Sequence, residues 1–279
     1  MESNLVHETS ERSDVRNWVK QKLEDDGVTL IRFEGFTVKN GLVTSLLDRG
    51  MVSVAQSHEE CLSAEIDALQ AEFRSKLKFA DLLGIPYWYL TYSYIPEAAY
   101  LWRLKLGEEA ICRKKYSGFK DFGNDLKKIR ELNMTKPYRE SGLPEIDIKL
   151  RQAKTPWPGN LDGVLVQQGI PRAIIEWQTT SKISVRKHCN NRFFSADQNR
   201  WRVNQIIAQQ AKLPLVIVVW SPNEVAGDIK YKIVENIVFN GESRTVVPGI
   251  YYRDKQIVAY DALCKKLQSD FQVELGPII

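Results

Sequence analysis

The sequence predicts an α/β fold, a central mixed β-sheet flanked by helices. Three observations predict it. Segments with helical apolar spacing alternate with short strand-like runs along the 279 residues. Leu215–Trp220, opened by Pro214, is apolar throughout and of strand length, the pattern of a strand covered on both faces. Asn160–Val166 and Arg172–Gln178 read as adjacent strands joined by a Gln-Gln-Gly-Ile-Pro turn.

In chain order, Ser10 to about Asp26 reads as a helix, with Val15, Trp18, Val19 and Leu23 at helical spacing, and Val28–Phe33 as a strand. Ala64 to about Leu83 reads as one long helix, capped by Ser63 and stopped at Gly84-Ile85-Pro86. Tyr87–Tyr94 follows as an aromatic strand, whose rings suit a core better than a base-stacking surface. Arg113-Lys114-Lys115 is a short basic run before a turn at Ser117-Gly118. Asp121–Asn133 reads as a helix with Phe122, Leu126, Ile129 and Leu132 as its stripe. Glu145–Arg151 alternates polar and apolar residues, the mark of a half-buried strand. After the two central strands, Ser195 caps a helix to about Lys212. Further strands are expected near 230–239 and 245–252, and a last helix near 260–271. A helix ending in a Pro turn and an apolar strand occurs at 71–94 and again at 196–220. Two α/β units of one architecture would produce this recurrence and so would chance, and no element is placed from it.

Composition bounds the classes. Hydrophobic residues make up 43% and charged residues 27%, ordinary for a globular protein. A formal net charge of +4 does not by itself demand an anionic partner, so the placement of basic residues matters more. Cys61, Cys112, Cys189 and Cys264 form no Cys-x-x-Cys pair and the three histidines do not cluster, which argues against structural zinc. Reduced thiols, a polar N-terminus and the lack of a membrane-length apolar run set the expectation of a cytoplasmic protein.

The chemistry concentrates in the two central strands. Residues two apart on a strand share a face, so Glu176 and Gln178 project together while Ile175 and Trp177 point away. Pairing of the strands brings Asp162 beside Glu176. Two adjacent carboxylates on rigid strands repel unless a cation lies between them, and all-oxygen ligation suits Mg²⁺. The competing reading is an ordinary hairpin with exposed acids at its ends. The loop after Gln178 carries Lys182, Arg186, Lys187 and Arg192 and no acid.

Order and residues together resemble the PD-(D/E)xK nuclease superfamily, which includes most type II restriction endonucleases. That family places an Asp at the start of its second core strand and a (D/E)-x-K triplet in the third, followed by a helix and a central apolar strand. Asp162 matches the first position and Glu176-Trp177-Gln178 the triplet, with Gln in place of Lys, a variant that a minority of restriction enzymes use. The resemblance covers about the last 160 residues. It implies a restriction-endonuclease-like core over 121–279, behind an N-terminal α/β extension over 1–120 serving recognition or dimerisation, either as a separate domain or as part of one continuous sheet. It implies one or two Mg²⁺ ions on Asp162, Glu176 and the Trp177 carbonyl, with Gln178 placing the attacking water. Lys182 is a candidate for a relocated ammonium or for a phosphate contact, and Glu131 or Glu140 for an assisting carboxylate from the preceding helix. Double-stranded DNA is the implied substrate, held by Lys182, Arg186, Lys187, Asn190, Asn191, Arg192 and Arg200, with Gln198 and Arg202 nearby in sequence. Cutting of twofold sites implies a homodimer. Two other readings stand beside this one: a structure-specific or repair nuclease on the same fold, and an inactive nuclease fold that binds DNA.

Overall fold

The structure, a computed structural model, describes residues 10–129, 144–188, 198–223, 227–239, 241 and 246–271. The fold is mixed α/β, with two mixed sheets flanked by helices where the sequence suggests one. The chain divides into two compact units, and not at residue 120. One comprises the described residues of 32–161 and 195–211, the other those of 9–31, 162–194 and 212–279.

The first unit holds a five-stranded sheet, β2 (Gly35–Lys39), β3 (Leu42–Met51), β4 (Tyr87–Tyr94), β5 (Glu97–Leu104) and β6 (Ile111–Tyr116), in that order. β4 is the aromatic strand, and its residues Tyr87, Tyr89, Leu90 and Tyr92 are core. The long helix expected at 64–83 is two helices, α2 (His58–Ala68) and α3 (Gln70–Leu83). Ser57, not Ser63, caps α2, exchanging bonds with Glu60 in a full capping box. Gly84, in the left-handed conformation at φ 67°, ends α3 as expected.

α4 (Phe119–Ile129) buries Phe122 and Leu126 of its expected stripe but leaves Ile129 exposed, and the remainder of that expected helix, Leu132 included, lies outside the described residues. The expected strand at 145–151 is instead α5 (Glu145–Gln152). Apolar residues at 146, 148 and 150 satisfy period two. Ile146 and Leu150 are also one helical turn apart, and these two are fully buried together with Asp147. Helix α6 (Gln198–Ala211) also belongs to this unit, where Gln210 Oε1 accepts the Val43 N–H at 2.8 Å and its amide donates to the Leu83 carbonyl at 3.2 Å.

The second unit holds a six-stranded sheet in the order β1 (Val28–Phe33), β7 (Leu161–Gln167), β8 (Ile170–Thr179), β9 (Leu215–Trp220), β10 (Ile229–Val238), β11 (Gly249–Val258). One face is covered by α1 (Ser10–Asp25) and α7 (Leu263–Phe271). Val15, Val19 and Leu23 of α1 and Leu263 and Leu267 of α7 pack on Ile175, Trp177, Val216, Val218 and Tyr231. β9 is buried along its whole length, the central strand that its composition predicts.

The two sheets share a plan. In each, an antiparallel hairpin is followed by a helical crossover, a parallel strand and two further antiparallel strands. From the hairpin through the crossover helix to the parallel strand the correspondence holds residue by residue at an offset of 128, and beyond that strand the register changes, Leu90 pairing with Leu101 but Val218 with Tyr231. Leu46 N–H donates to the Pro86 carbonyl and Ile174 N–H to the Pro214 carbonyl; Val52 N–H donates to Tyr92 and Thr180 N–H to Trp220. The hairpin turns Asn40-Gly41 and Gln168-Gly169 both have positive φ at both residues, and the strand irregularities at 37/38 and 165/166 coincide. α3 and α6 occupy matching positions, Gln70–Leu83 and Gln198–Ala211. The recurrence at 71–94 and 196–220 is therefore part of an internal repeat. The arm before each first hairpin serves the other unit: α1 and the body of β1 belong to the second, whereas α5 and the extended stretch at 156–160 belong to the first, where the Gly159 carbonyl accepts the Phe36 N–H.

Candidate active site

The β7–β8 ladder pairs Val164 with Ile174 and Gly163 with Ile175, and there it ends. The next residue on each strand is Asp162 and Glu176, so the two acids face each other across the open end of the hairpin. Both are buried, at 4% and 3% exposure, which overturns the reading of exposed hairpin acids. A Cβ on Gly163 would lie 3.0 Å from Leu30 Cδ1 and 3.4 Å from Ile175 Cβ, so a larger residue next to Asp162 requires Leu30 to shift. Asp162 Oδ2 accepts the Trp177 N–H at 3.0 Å. The Ile174 N–H is directed at β9, through the Pro214 carbonyl, so the odd residues of β8 direct their peptide groups the other way. The N–H and carbonyl of one extended residue lie along the same strand edge, which turns the Trp177 carbonyl toward the Asp162 side while its indole fills the core. Gln178 shares the Glu176 face and is half-buried.

Two residues of this face were not singled out from sequence. Glu176 pairs with Ile217 and Ile217 with Lys232; Gln178 pairs with Val219 and Val219 with Lys230. Lys230 and Lys232 therefore lie on the face of Glu176 and Gln178, buried at 5% and 1%. Lys230 Nζ donates to the carbonyls of Arg186 at 2.7 Å and His188 at 3.1 Å, pinning the loop after β8. Lys232 Nζ meets the Tyr252 hydroxyl at 3.4 Å. Burial pushes the His188 imidazole down to about 4, and the positive charges of Lys232 and Lys230 add to the effect. The signal was present in Ile-Lys-Tyr-Lys-Ile, whose alternation puts both lysines opposite the core-facing Tyr231.

The predicted DNA contacts separate. Lys182 and Lys187 are exposed on the loop after β8. Arg186 is exposed too, but its Nε is paired with Asp228. Asn190, Asn191 and Arg192 lie outside the described residues, as do Glu131 and Glu140. Arg200 is on α6 with Gln198 and Arg202, in the first unit, whereas the carboxylates are in the second. The helix that precedes the first strand of the second sheet is α1, not the helix at 121–129.

Among the described residues no group of three or more His, Cys, Asp or Glu side chains is arranged around a metal position. The oxygen donors that fit a hard cation are the Asp162 and Glu176 carboxylates and the Trp177 carbonyl, a set suited to Mg²⁺ with water completing its shell. Arg49, Asp48 and Lys76 form a separate charged cluster in the first unit. Also among the described residues, no helix is long and apolar enough to cross a membrane.

Comparison with known proteins gives little to set beside this geometry. No family model matches the chain, and no curated protein matches it. Among solved structures, a crystal structure of the sex pheromone staph-cAM373 precursor is 10% identical over 92% of this chain and 95% of its own, with a TM-score of 0.19, a likeness that carries no argument.

Proposed function

We propose that the chain is a Mg²⁺-dependent endonuclease that hydrolyses phosphodiester bonds of double-stranded DNA, of the type II restriction kind. The observation that carries the reading is the buried Asp162–Glu176 pair at the open end of the β7–β8 ladder, with the Trp177 peptide directed to it. Its setting supports the reading further. In the sheet order β1-β7-β8-β9 the Asp strand is second and the Glu strand third, followed along the chain by α6 and the apolar β9, the order in which the nuclease superfamily carries its motif.

Asp162 and Glu176 would hold the metal, with the Trp177 carbonyl as a third donor. Bound Mg²⁺ supplies Lewis acidity, lowering the pKa of water and neutralising phosphate charge. The Trp177 N–H fixes the Asp162 carboxylate, and the strand pairing of Ile175 fixes the backbone at Glu176. The Gln178 amide orients water by hydrogen bonding but brings no charge. Lys230 and Lys232 put positive potential on the same face, where charge develops on the phosphate. The resemblance implies 5′-phosphate and 3′-hydroxyl products and a homodimer on a twofold site.

The test is incubation with long duplex DNA in Mg²⁺, in EDTA, and with Glu176→Ala. Mg²⁺-dependent discrete fragments that disappear in the variant are expected, with a loss of several orders of magnitude in rate. Cleavage confined to branched DNA would move the reading to a structure-specific nuclease. One observation favours a DNA-binding module without hydrolysis: the missing triplet Lys at Gln178. Salt-sensitive DNA binding with no cleavage in Mg²⁺ or Mn²⁺ would establish that reading instead.

A further inference from the structure

The internal repeat gives the Asp162–Glu176 pair a counterpart. At the offset of 128, Asp162-Gly163 corresponds to Glu34-Gly35, and Glu176 to Asp48. The ladder of β2 with β3 ends at Gly35–Leu47, as that of β7 with β8 ends at Gly163–Ile175, so Glu34 and Asp48 face each other beyond it. The tight packing at the glycine recurs as well: a Cβ on Gly35 would meet Trp157 Nε1 at 3.0 Å.

The surroundings of this pair differ in what meets its acids: Lys76, which also pairs with Glu72 at 3.0 Å, reaches Asp48 from the crossover helix, whereas the buried lysines on the Glu176 face, Lys230 and Lys232, come from β10. Lys76 Nζ of α3 donates to Asp48 Oδ2 at 2.8 Å, and the Tyr87 hydroxyl donates to the same oxygen at 2.6 Å. Asp48 Oδ1 accepts the Glu34 N–H at 2.7 Å, and Glu34 Oε2 accepts from Arg49 Nε at 2.6 Å. Lys76 is buried at 7% exposure, against Asp48 at 5%. The residues that correspond to Lys76, Arg49 and Tyr87 are Asn204, Trp177 and Leu215, all without charge.

We propose that Glu34–Asp48 is a second copy of the metal site whose cation is built into the chain. The Lys76 ammonium takes the metal's place beside Asp48, and the Arg49 guanidinium neutralises Glu34. A buried ammonium already bound to the carboxylate leaves a divalent ion neither the charge nor the oxygen it needs. The chain is thus a duplicated fold with one metal-competent centre among its described residues. Resting on the nuclease reading, this means that one chain cuts one strand and that both strands of a duplex require two chains.

Mn²⁺ binding to the full chain, counted by titration calorimetry and by electron paramagnetic resonance, tests it. Glu176→Ala should abolish binding, and Asp48→Asn should leave the count unchanged. Lys76→Asn, which gives the first repeat the residue of the second, should add a site that Lys76→Asn with Asp48→Asn removes. It should also melt higher in Mn²⁺ than in EDTA by more than the unaltered chain does. A count lowered by Asp48→Asn alone would overturn the proposal, whatever Lys76→Asn does. A folded Lys76→Asn that gains no Mn²⁺ would overturn it too. An unaltered chain that binds no Mn²⁺ would instead sink the Asp162–Glu176 reading, and a site gained in Lys76→Asn would still be countable.

Discussion

Arg49 holds Asp147 through two bonds, Nη1 to Oδ1 at 2.6 Å and Nη2 to Oδ2 at 3.2 Å, across 98 positions of sequence. The guanidinium also lies over the Trp157 ring, 4.5 Å from its centroid. Burial opposes its charge, but Glu34 and Asp147 more than offset this and raise its pKa. Removing one member of a buried pair strands the other in a poor solvent, at a cost of about 3–5 kcal/mol. Arg49→Met should therefore lower the melting temperature by roughly 10 °C. Arg49→Met with Asp147→Leu should recover much of that loss. A double variant no more stable than the single one would show that the pairing is not what the Arg49 contact supplies.

Gly163 packs tightly against Leu30, whose Cδ1 would lie 3.0 Å from an added Cβ. Gly163→Val should destabilise the second unit by about 1–3 kcal/mol through overpacking. Pairing it with Leu30→Ala should recover part of the loss, read as the urea midpoint. Unchanged midpoints for Gly163→Val would mean that the strands part without cost.

His188 sets a pH dependence. Its pKa falls from 6.5 in the unfolded chain to about 4 in the folded one. Between those values the unfolded state binds the extra proton, so stability rises with pH across that window and is lost on acidification through it. Above pH 6.5 both states are neutral and this residue contributes no slope. Urea midpoints at pH 7.5 and pH 5 should differ less in His188→Gln than in the unaltered chain. Equal differences would place the acid sensitivity elsewhere.

Asp228 neutralises Arg186 at an exposed position. On the nuclease reading, Asp228→Asn should free that guanidinium, strengthen DNA binding several-fold and steepen its salt dependence by about one ion. Fluorescence anisotropy against salt concentration would measure both. An unchanged slope would take Arg186 out of the DNA contact.

Gln178→Lys would restore the charge that the nuclease triplet carries in most of the family. On the nuclease reading it should raise the single-turnover cleavage rate about tenfold or more, since a charge placed at the developing phosphate charge is worth a few kcal/mol. A rate left unchanged or lowered would mean that Lys230 and Lys232 already provide the potential.

Much of the second sheet was legible in sequence because its strands are short, apolar and punctuated. β7, β8 and β9 come from alternation, from the Gln168-Gly169 turn and from Pro214, all local features. Asp162 and Glu176 follow from the same alternation. α5 was misread because three apolar residues at period two fit either geometry, and the partner that favours the helix is Arg49, distant in sequence. The repeat was nearly invisible for a similar reason. Between 34–50 and 162–178 only Gly35, Val38 and Gly41 recur identically as Gly163, Val166 and Gly169. What is preserved is ladder register, turn conformation and the position of two acids, which are properties of pairing and not of residue identity. The two units were hidden too, since each is assembled from segments on both sides of any single boundary.

That interleaving has a consequence for how the protein comes into being. α1 and most of β1 are made before the strands of the first unit, yet they belong to the unit whose other strands and helix α7 follow residue 160. The first unit in turn lacks α6 until translation has passed residue 211. An arm with an exposed apolar face must wait, while the strands of the first unit are made, for the sheet that covers it. Nascent chains stalled before residue 215 should accordingly be protease-sensitive at α1 and chaperone-bound, and no continuous fragment corresponds to either unit as a separately folding piece.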